Sequence, residues 1–226
     1  MANLDQRQYA PAFQRNCHPI LAVLKQELPN RGMIVEIASG TGEHAAFFAQ
    51  HFPQIQWVPS DMAQPQLDSI AAWRDYHRLS NLYTPMTIDL LHHSWPQIVS
   101  QGLNQEELPI VDVVAIVNIN MMHISSWEAT LSLMAGAARL LPPQGLLYLY
   151  GPFMQAGQSP APSNLAFDQS LRRRNPAWGI RSLTDVVAAA NDNDLILQKT
   201  VEMPANNLSI LLQRSSEARS IFHGNP

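Results

Sequence analysis

The segment Met33-Ile34-Val35-Glu36-Ile37-Ala38-Ser39-Gly40-Thr41-Gly42-Glu43-His44-Ala45 decides the fold, because its pattern changes from strand to turn to helix within a few residues. Residues 33–38 are mostly apolar and partly β-branched, which predicts a short buried strand. Residues 40–45 fit the pattern G-x-G-x-x-G/A, and the stretch from Glu43 to about His51 predicts a helix. A strand, a glycine-bearing turn and a helix in this order predict one βα unit of an open α/β sheet.

Strands and helices alternate along the rest of the chain. Further strands are predicted at 55–58, 85–89, 111–117 and 146–150, and further helices at 64–76, 125–141 and 182–191. Short connections between them predict a mostly parallel sheet with helices on both faces. The last two strands, 195–203 and 207–212, are separated by a turn too short for a crossover helix, so they must be antiparallel. The expected fold is α/β: a Rossmann-like, seven-stranded, mostly parallel sheet with an antiparallel last strand.

One main domain with additions at both ends is expected from the length of the chain. Residues 1–30 are predicted to form an N-terminal cap segment and helix, residues 31–214 the main domain, and residues 215–226 a flexible tail. The segment 151–180 is rich in Pro, Ser and Asn, which predicts an ordered, lid-like insertion without regular secondary structure.

Composition makes several functions unlikely to be encoded here. The net charge of −4 gives no electrostatic reason to expect nucleic-acid binding. With Cys17 as its single cysteine, the chain can form neither an internal disulfide nor a cysteine-based zinc site, and His92-His93 is interpreted as a surface pair, so no metal is expected. No stretch approaches the roughly 20 apolar residues that cross a bilayer. A cytoplasmic location without a membrane partner is therefore expected.

The glycine-bearing turn fits two classes of cofactor. Its glycines would let the backbone approach a ligand closely, and Asp61, about 20 residues on, can accept from both ribose hydroxyls. These properties suit a nicotinamide or flavin dinucleotide as well as S-adenosylmethionine. Glu36 inside the strand can face an ammonium group, and Asp89 at the end of the third strand can accept from an adenine amino group. Together with the antiparallel last strand, these two acids favour S-adenosylmethionine.

The chain resembles the class I S-adenosylmethionine-dependent methyltransferases over about residues 30 to 212. The resemblance is carried by residues 35–44, by Asp61 and Asp89, and by Leu140-Leu141-Pro142-Pro143-Gln144-Gly145. It departs from that superfamily at Ala38, where the first glycine of the turn usually stands. Alanine is expected to permit the same close approach if its φ stays negative.

The resemblance implies a set of cofactor contacts. Asp61 is expected at the ribose, Met62 at the adenine face, Asp89 and the Leu90 backbone at the adenine edge, and Asn118 at the methionine end. The turn would contribute Glu36, Ala38, Ser39, Gly40, Thr41 and Gly42.

The N-terminal segment is expected to lie over the cofactor. There Arg15 or Asn16 would touch the cofactor carboxylate or the acceptor. A docking helix whose start is capped by Asn16 is an alternative that can hold at the same time. His44, in the first turn of the next helix, is expected to be exposed; the alternative is that it approaches the cofactor carboxylate.

The methyl acceptor is expected at the carboxyl end of the fourth strand. His123 is the candidate base, since an ordinary imidazole titrates near neutral pH, and Asn120 could orient an acceptor amine. The alternative for His123 is a structural role at the start of the next helix. Base catalysis is optional for this chemistry, because much of the rate can come from orientation.

A narrower resemblance is carried by several short, unusual sequence motifs that occur in the same order. Residues 9–16, 36–44, 151–153, 163–168 and 174–179 are similar to the methyltransferase-like twenty-six family. That resemblance implies the methyltransferase fold but no particular substrate. A small-molecule acceptor is expected, since the Asn/Asp-Pro-Pro-Tyr/Phe loop of amino-directed DNA and protein-glutamine enzymes is absent. Two alternatives stay open: a non-catalytic S-adenosylmethionine-binding sensor or subunit, and an NAD(P)-dependent oxidoreductase.

Overall fold

A computed structural model describes residues 5–105 and 112–216. The α-helices in this part of the chain are α1 (Phe13–Glu27), α2 (Glu43–His51), α3 (Gln64–His77), α4 (Trp95–Gln105), α5 (Trp127–Leu140), α6 (Pro162–Arg174) and α7 (Leu183–Asn191). The strands are β1 (Gly32–Ile37), β2 (Ile55–Asp61), β3 (Met86–Thr87), β4 (Val113–Ile119), β5 (Leu146–Met154), β6 (Arg181–Ser182), β7 (Leu195–Met203) and β8 (Asn207–Arg214).

The sheet has the order β3-β2-β1-β4-β5-β8-β7, with the short β6 beside the end of β5. Strands β1 to β5 are parallel to their neighbours, and β8 is antiparallel to both β5 and β7. The predicted fold class is therefore confirmed, including the reversed last strand. Because parallel strands end at the same edge, the carboxyl ends of β1 to β5 meet there, and the strand order reverses between β1 and β4. Such a reversal opens a crevice in which α/β proteins bind ligands.

Apolar residues cover both faces of the sheet. Residues of α4, α5 and α7, such as Trp95, Leu133 and Val186, pack on one face. Residues of α1, α2 and α3, such as Leu24 and Phe48, pack on the other. Since strand side chains alternate between faces, β1 contributes to both cores, and all six of its residues are buried. The two layers of helices hold the edge of the sheet that carries the predicted site.

Two predictions about secondary structure were wrong, and one helix was missed. The segment 151–180 forms regular structure, because β5 continues to Met154 and α6 follows it. Pro162 occupies the first turn of α6, where proline is compatible with a helix because no backbone donor is needed. The helix α4 was not predicted, and β3 is only two residues long.

Two further predictions include residues that lie outside the described part of the chain. The first residue of the predicted strand 111–117 lies outside the described residues, as does the tail from residue 217. None of the helices in the described part of the chain is long and apolar enough to span a membrane. Within the same residues, no three His, Cys, Asp or Glu side chains are grouped so that they could hold a metal ion. His92 and His93 are exposed.

Candidate functional site

The glycine-bearing turn is fastened to β2 by two serines. The backbone N–H of Ser39 donates to the Ser60 carbonyl at 2.7 Å, and the Ser60 hydroxyl donates to the Glu36 carbonyl at 2.8 Å. The Ser60 N–H also donates to the Ser39 hydroxyl, at 3.2 Å. Both side chains are buried, so these bonds are protected from water and fix the turn. Ser60 was not among the predicted residues, although its place beside Asp61 was a signal for it.

Three residues of the turn have left-handed backbone conformations: Ala38 (φ 57°), Gly40 (φ 58°) and Gly42 (φ 84°). The condition set for Ala38, a negative φ, is therefore not met, and a left-handed alanine costs about 1–2 kcal/mol. A Cβ on Gly42 would lie 2.8 Å from the Ile70 Cα, so this glycine is required for packing against α3. At Gly40 a Cβ would meet no atom within 4 Å, so this side of the turn is open to a ligand.

Glu36 is buried at the end of β1, with 1 % of its surface exposed. Its Oε2 accepts a hydrogen bond of 2.6 Å from the indole Nε1 of Trp57. Loss of water around the carboxylate raises the pKa of Glu36 to about 7, although the bonds from Trp57 and Ser39 oppose the rise. No ion pair among the described residues involves this carboxylate. The site therefore holds a buried acid without a cation.

Asp61 lies across from the turn at the end of β2. One carboxylate oxygen accepts from the Gly40 N–H at 3.0 Å, and the other accepts from the Ala63 N–H at 3.1 Å. These bonds orient the carboxylate toward the turn.

The next residue, Met62, has 65 % of its surface exposed. The Thr41 carbonyl accepts a bond of 2.7 Å from the Ser69 hydroxyl, which ties the turn to α3 as well.

Asp89 lies two residues beyond β3, in a tight turn. Its Oδ1 accepts from the Leu91 N–H at 2.9 Å, and its carbonyl accepts from the His92 N–H at 3.0 Å. The neighbouring Leu90 is buried, and its carbonyl accepts a bond from the Ser132 hydroxyl of α5. Because the strands follow the order β3-β2-β1, Asp89, Asp61 and Glu36 belong to three neighbouring strand ends at one edge.

On the other side of β1, the end of β4 brings Asn118 and Asn120 to the same edge. Asn118 is buried, and its Nδ2 donates to the Ile37 carbonyl at 2.9 Å, which joins the ends of β4 and β1. Asn120 has a left-handed φ of 63°, and its N–H donates to the Tyr150 carbonyl at 2.8 Å. The amide of Asn118 therefore helps to hold the crevice in place.

His123 and Asn120 converge over Gly151 in β5. A Cβ at Gly151 would lie 3.5 Å from the His123 Nδ1 and 3.6 Å from the Asn120 Oδ1. Burial lowers the pKa of His123 to about 4, and the positive charge of Arg181 adds to the effect. The buried setting thus lowers the pKa of His123 below the neutral range of an ordinary imidazole, which weakens it as a base. At neutral pH its imidazole is uncharged and is a hydrogen-bonding group rather than a strong base.

The segment 151–180 packs against the same histidine. The Phe167 ring of α6 contacts the His123 ring edge to face, with ring centres 5.4 Å apart. The Gly179 N–H donates to the His123 carbonyl at 3.0 Å. These contacts help to exclude water from His123, which explains its burial.

The N-terminal helix contacts the site differently from the prediction. The helix begins at Phe13, so Asn16 lies inside it and does not cap it. Asn16 is buried, and its Oδ1 lies 2.7 Å from the Nε2 of His44. The expectation that His44 is exposed is wrong, and burial lowers the pKa of its imidazole to about 4. Arg15 is exposed, and its Nη1 donates to the Pro11 carbonyl at 2.9 Å.

Residues before the helix are bound to α2 and α3. The Gln8 N–H donates to the Ser69 hydroxyl at 2.8 Å, and the Trp73 indole donates to the Gln8 carbonyl at 3.0 Å. The Ala10 N–H donates to the carboxylate of Glu43, in the first turn of α2. Glu43 and Ser69 were missed by the sequence predictions, because only the fold brings them beside residues 8–10.

Nearly the whole chain matches a known protein family. The family described as "Protein of unknown function (DUF938)" matches residues 7–214, which is nearly the whole described chain. The chain belongs to the DUF938 family. Its matched region includes the turn, the strand-end acids and the N-terminal helix.

Several solved structures with the same fold are methyltransferases by name. An O-methyltransferase family protein from Burkholderia thailandensis matches this DUF938 chain with a TM-score of 0.70 and 17% identity, over 92% of this chain and 58% of that one. The S-adenosylmethionine-dependent methyltransferase SibL matches with a TM-score of 0.69 and 15% identity, over 90% and 55% of the two chains. The DUF938 chain therefore spans little more than half of these two proteins.

A third similar structure has nearly the same length as this chain. It is a protein from Galdieria sulphuraria, provisionally designated a sarcosine dimethylglycine methyltransferase. It matches with a TM-score of 0.65 and 13% identity, over 96% of this chain and 95% of that one. At these identities the similarity establishes the class I methyltransferase fold.

Proposed function

We propose that this protein is an S-adenosylmethionine-dependent methyltransferase that acts on a small-molecule acceptor. The observation that carries the proposal is the buried carboxylate of Glu36, which forms no ion pair with the described residues. A buried charge is costly unless a partner of opposite charge is supplied. The ammonium group of S-adenosylmethionine is a partner of the required charge.

The surroundings of the turn fit the rest of the same molecule. The open side of Gly40 leaves room for a ligand to approach the backbone. The Asp61 carboxylate can accept from ribose hydroxyls, and the Asp89 carboxylate can accept from the adenine amino group. Since the three acids follow the strand order β1, β2, β3, they match the order ammonium, ribose, adenine along one extended ligand.

S-adenosylmethionine, when bound, supplies a methyl group on a positively charged sulfur. The chain must then hold the acceptor in line and exclude water. Asn120 and His123 converge over Gly151 and are proposed to contact the acceptor. Because a lowered pKa makes the His123 imidazole a weak base, we propose that it orients the acceptor through a hydrogen bond and does not take up its proton. Arg15 and Asn16 remain proposed contacts of the cofactor carboxylate or of the acceptor.

The similar solved structures support the proposal of a small-molecule methyltransferase only through their shared fold. The resemblance to the methyltransferase-like twenty-six family and the expected cytoplasmic location stay predictions. So does the division into the cap segment 1–30, the main domain 31–214 with its lid 151–180, and the tail 215–226. A lid role for 151–180 is supported by the packing of Phe167 on His123.

Calorimetric titration with S-adenosylmethionine, S-adenosylhomocysteine and NAD tests the cofactor. We expect the first two to bind and NAD to give no heat. Binding of NAD alone would overturn the proposal. A screen for transfer of a labelled methyl group to metabolite and protein extracts then separates an enzyme from a non-catalytic sensor, which would bind the cofactor without transfer.

A matched pair of variants tests the place of binding. Gly40 and Gly157 both have a positive φ, of 58° and 76°, and a Cβ at either position would meet no atom within 4 Å. The two Gly→Arg substitutions therefore impose a similar backbone strain. We expect Gly40→Arg to abolish S-adenosylmethionine binding and Gly157→Arg to preserve it. Equal binding by both variants would exclude the turn as the site.

A further inference from the structure

A cavity of about 250 Å³ lies beside the carboxyl end of β5. It is enclosed by the end of β5, the connection to α6, the first turn of α6, and the hairpin between β7 and β8. Its lining residues are Phe153, Met154, Gln155, Gln158, Ser159, Pro160, Ala161, Asn164, Glu202, Met203, Asn206, Asn207 and Leu208. The volume is just below the range of about 300–1,000 Å³ typical of drug-sized ligands, so the cavity suits a small molecule.

The position of this cavity connects it with the proposed methyl-transfer site. Asn207 is paired with Pro152 of β5, directly after Gly151, over which Asn120 and His123 converge. A second cavity, which includes Pro29 and Gly145, lies at the opposite edge of the sheet, where β1 and β5 begin. Of these two cavities, the first therefore lies at the edge of the sheet where the acceptor is expected.

The charge of the lining restricts the ligand. Among the described residues that line the cavity, Glu202 of β7 contributes the only ionisable side chain. Among the ion pairs of the described residues, none engages this carboxylate. Arg15 interacts electrostatically with Tyr150 but does not line the cavity. An anionic ligand would thus meet a like charge with no counter-charge, whereas a cationic ligand would be attracted.

The rest of the lining is divided between apolar and amide groups. Phe153, Met203 and Leu208 are buried apolar residues that can cover a hydrocarbon body. Asn164 is buried as well, and Gln155, Asn206 and Asn207 add neutral hydrogen-bonding groups. A ligand with one positive group and an apolar body satisfies both parts of this surface.

We infer that this cavity binds the methyl acceptor and that the acceptor is a small amine with an apolar body. The amine binds as an ammonium group paired with Glu202, and its body packs on Phe153, Met203 and Leu208. Before transfer the ammonium gives one proton to the Glu202 carboxylate; the freed nitrogen lone pair then forms the new bond to the methyl carbon as the methyl–sulfur bond breaks and S-adenosylhomocysteine leaves. The inference rests on the proposed methyltransferase function, since the cofactor must lie at the same edge. It assigns Glu202 as the residue that selects the charge of the substrate.

Three probes of the same shape test the charge preference: benzylamine, benzyl alcohol and benzoate. Each is titrated by ligand-observed NMR against the full-length protein saturated with S-adenosylhomocysteine. We expect benzylamine to bind about two- to fivefold more tightly than benzoate, because Glu202 is exposed and an exposed ion pair contributes only a modest free energy. Glu202→Gln should remove this preference, and Glu202→Lys should reverse it. Asp192→Asn makes the same charge change at an exposed residue near the opposite edge and should leave the preference intact.

Each result decides the inference. A wild-type protein that binds benzoate as well as benzylamine, or binds no benzylamine at millimolar concentration, overturns it. A preference for benzylamine that survives Glu202→Gln also overturns it, because the charge would then be recognised elsewhere. Failure to bind S-adenosylhomocysteine in the first step would instead contradict the proposed function, so the two failures are distinguishable.

Discussion

Replacement of Glu36 by Gln should change the pH dependence of stability in a way that the burial of this acid determines. The pKa of Glu36 is raised from 4.5 to about 7 in the folded protein. One pKa unit corresponds to about 1.4 kcal/mol, so ionised Glu36 costs the folded state about 3 kcal/mol. A raised carboxyl pKa means that the folded state binds more protons than the unfolded state between these two values. This group therefore lowers the free energy of unfolding as the pH rises from 4.5 through 7.

The assay is urea unfolding of wild type and Glu36→Gln at intervals between pH 4 and pH 8. Two buried histidines, His44 and His123, have lowered pKa values and oppose this trend. Because the folded state binds fewer protons at these groups than the unfolded state, they lower the free energy of unfolding as the pH falls from 6.5 toward 4. Subtracting the two profiles cancels the histidines, because both proteins contain them. The variant should gain about 3 kcal/mol relative to wild type from pH 4 to pH 8.

A flat difference profile would refute this reasoning, because Glu36 would then have an ordinary pKa in the folded state. A second readout separates function from structure. The same variant should bind S-adenosylmethionine more weakly at pH 8, where wild-type Glu36 is ionised and can pair with an ammonium group. Wild-type affinity should also fall below pH 7, by up to about tenfold for each pH unit.

Three further predictions concern strain, packing and titration. Ala38→Gly should raise the free energy of unfolding by up to about 1 kcal/mol, because it relieves a left-handed alanine. In urea unfolding the helical control Ala46→Gly should lower it by about 1 kcal/mol. Equal losses in both variants would contradict the claim that Ala38 is strained. Gly136→Ala should cost about 1–3 kcal/mol because the new Cβ would lie 1.9 Å from Trp95, and an unchanged urea midpoint would mean that the ring moves freely. The imidazole of His123 should titrate near pH 4 by NMR, and a midpoint above 6 would restore it as a candidate base.

Local pattern was sufficient for most of the scaffold. The apolar run before the turn, the spacing to Asp61 and the buried strand before Asn118 each follow from side-chain periodicity over a few residues. The short link before Asn207 required antiparallel pairing, since a parallel partner needs a crossover connection. For α6 the local cue was misleading: Pro, Ser and Asn suggest a loop, but proline in the first turn is compatible with a helix.

What the sequence by itself determined is therefore the fold class, the glycine-bearing turn and the presence of three acids at strand ends; their order in space came from the sheet topology. These features depend on side-chain periodicity and residue spacing within short segments, and on links between strands whose length restricts how the strands can pair. Only the tertiary structure decided the electrostatics, because the pKa values of Glu36, His44 and His123 depend on burial by residues distant in sequence. The same holds for the cavity at Glu202, whose walls come from two stretches distant in sequence, 153–164 and 202–208, that meet only when the sheet is complete.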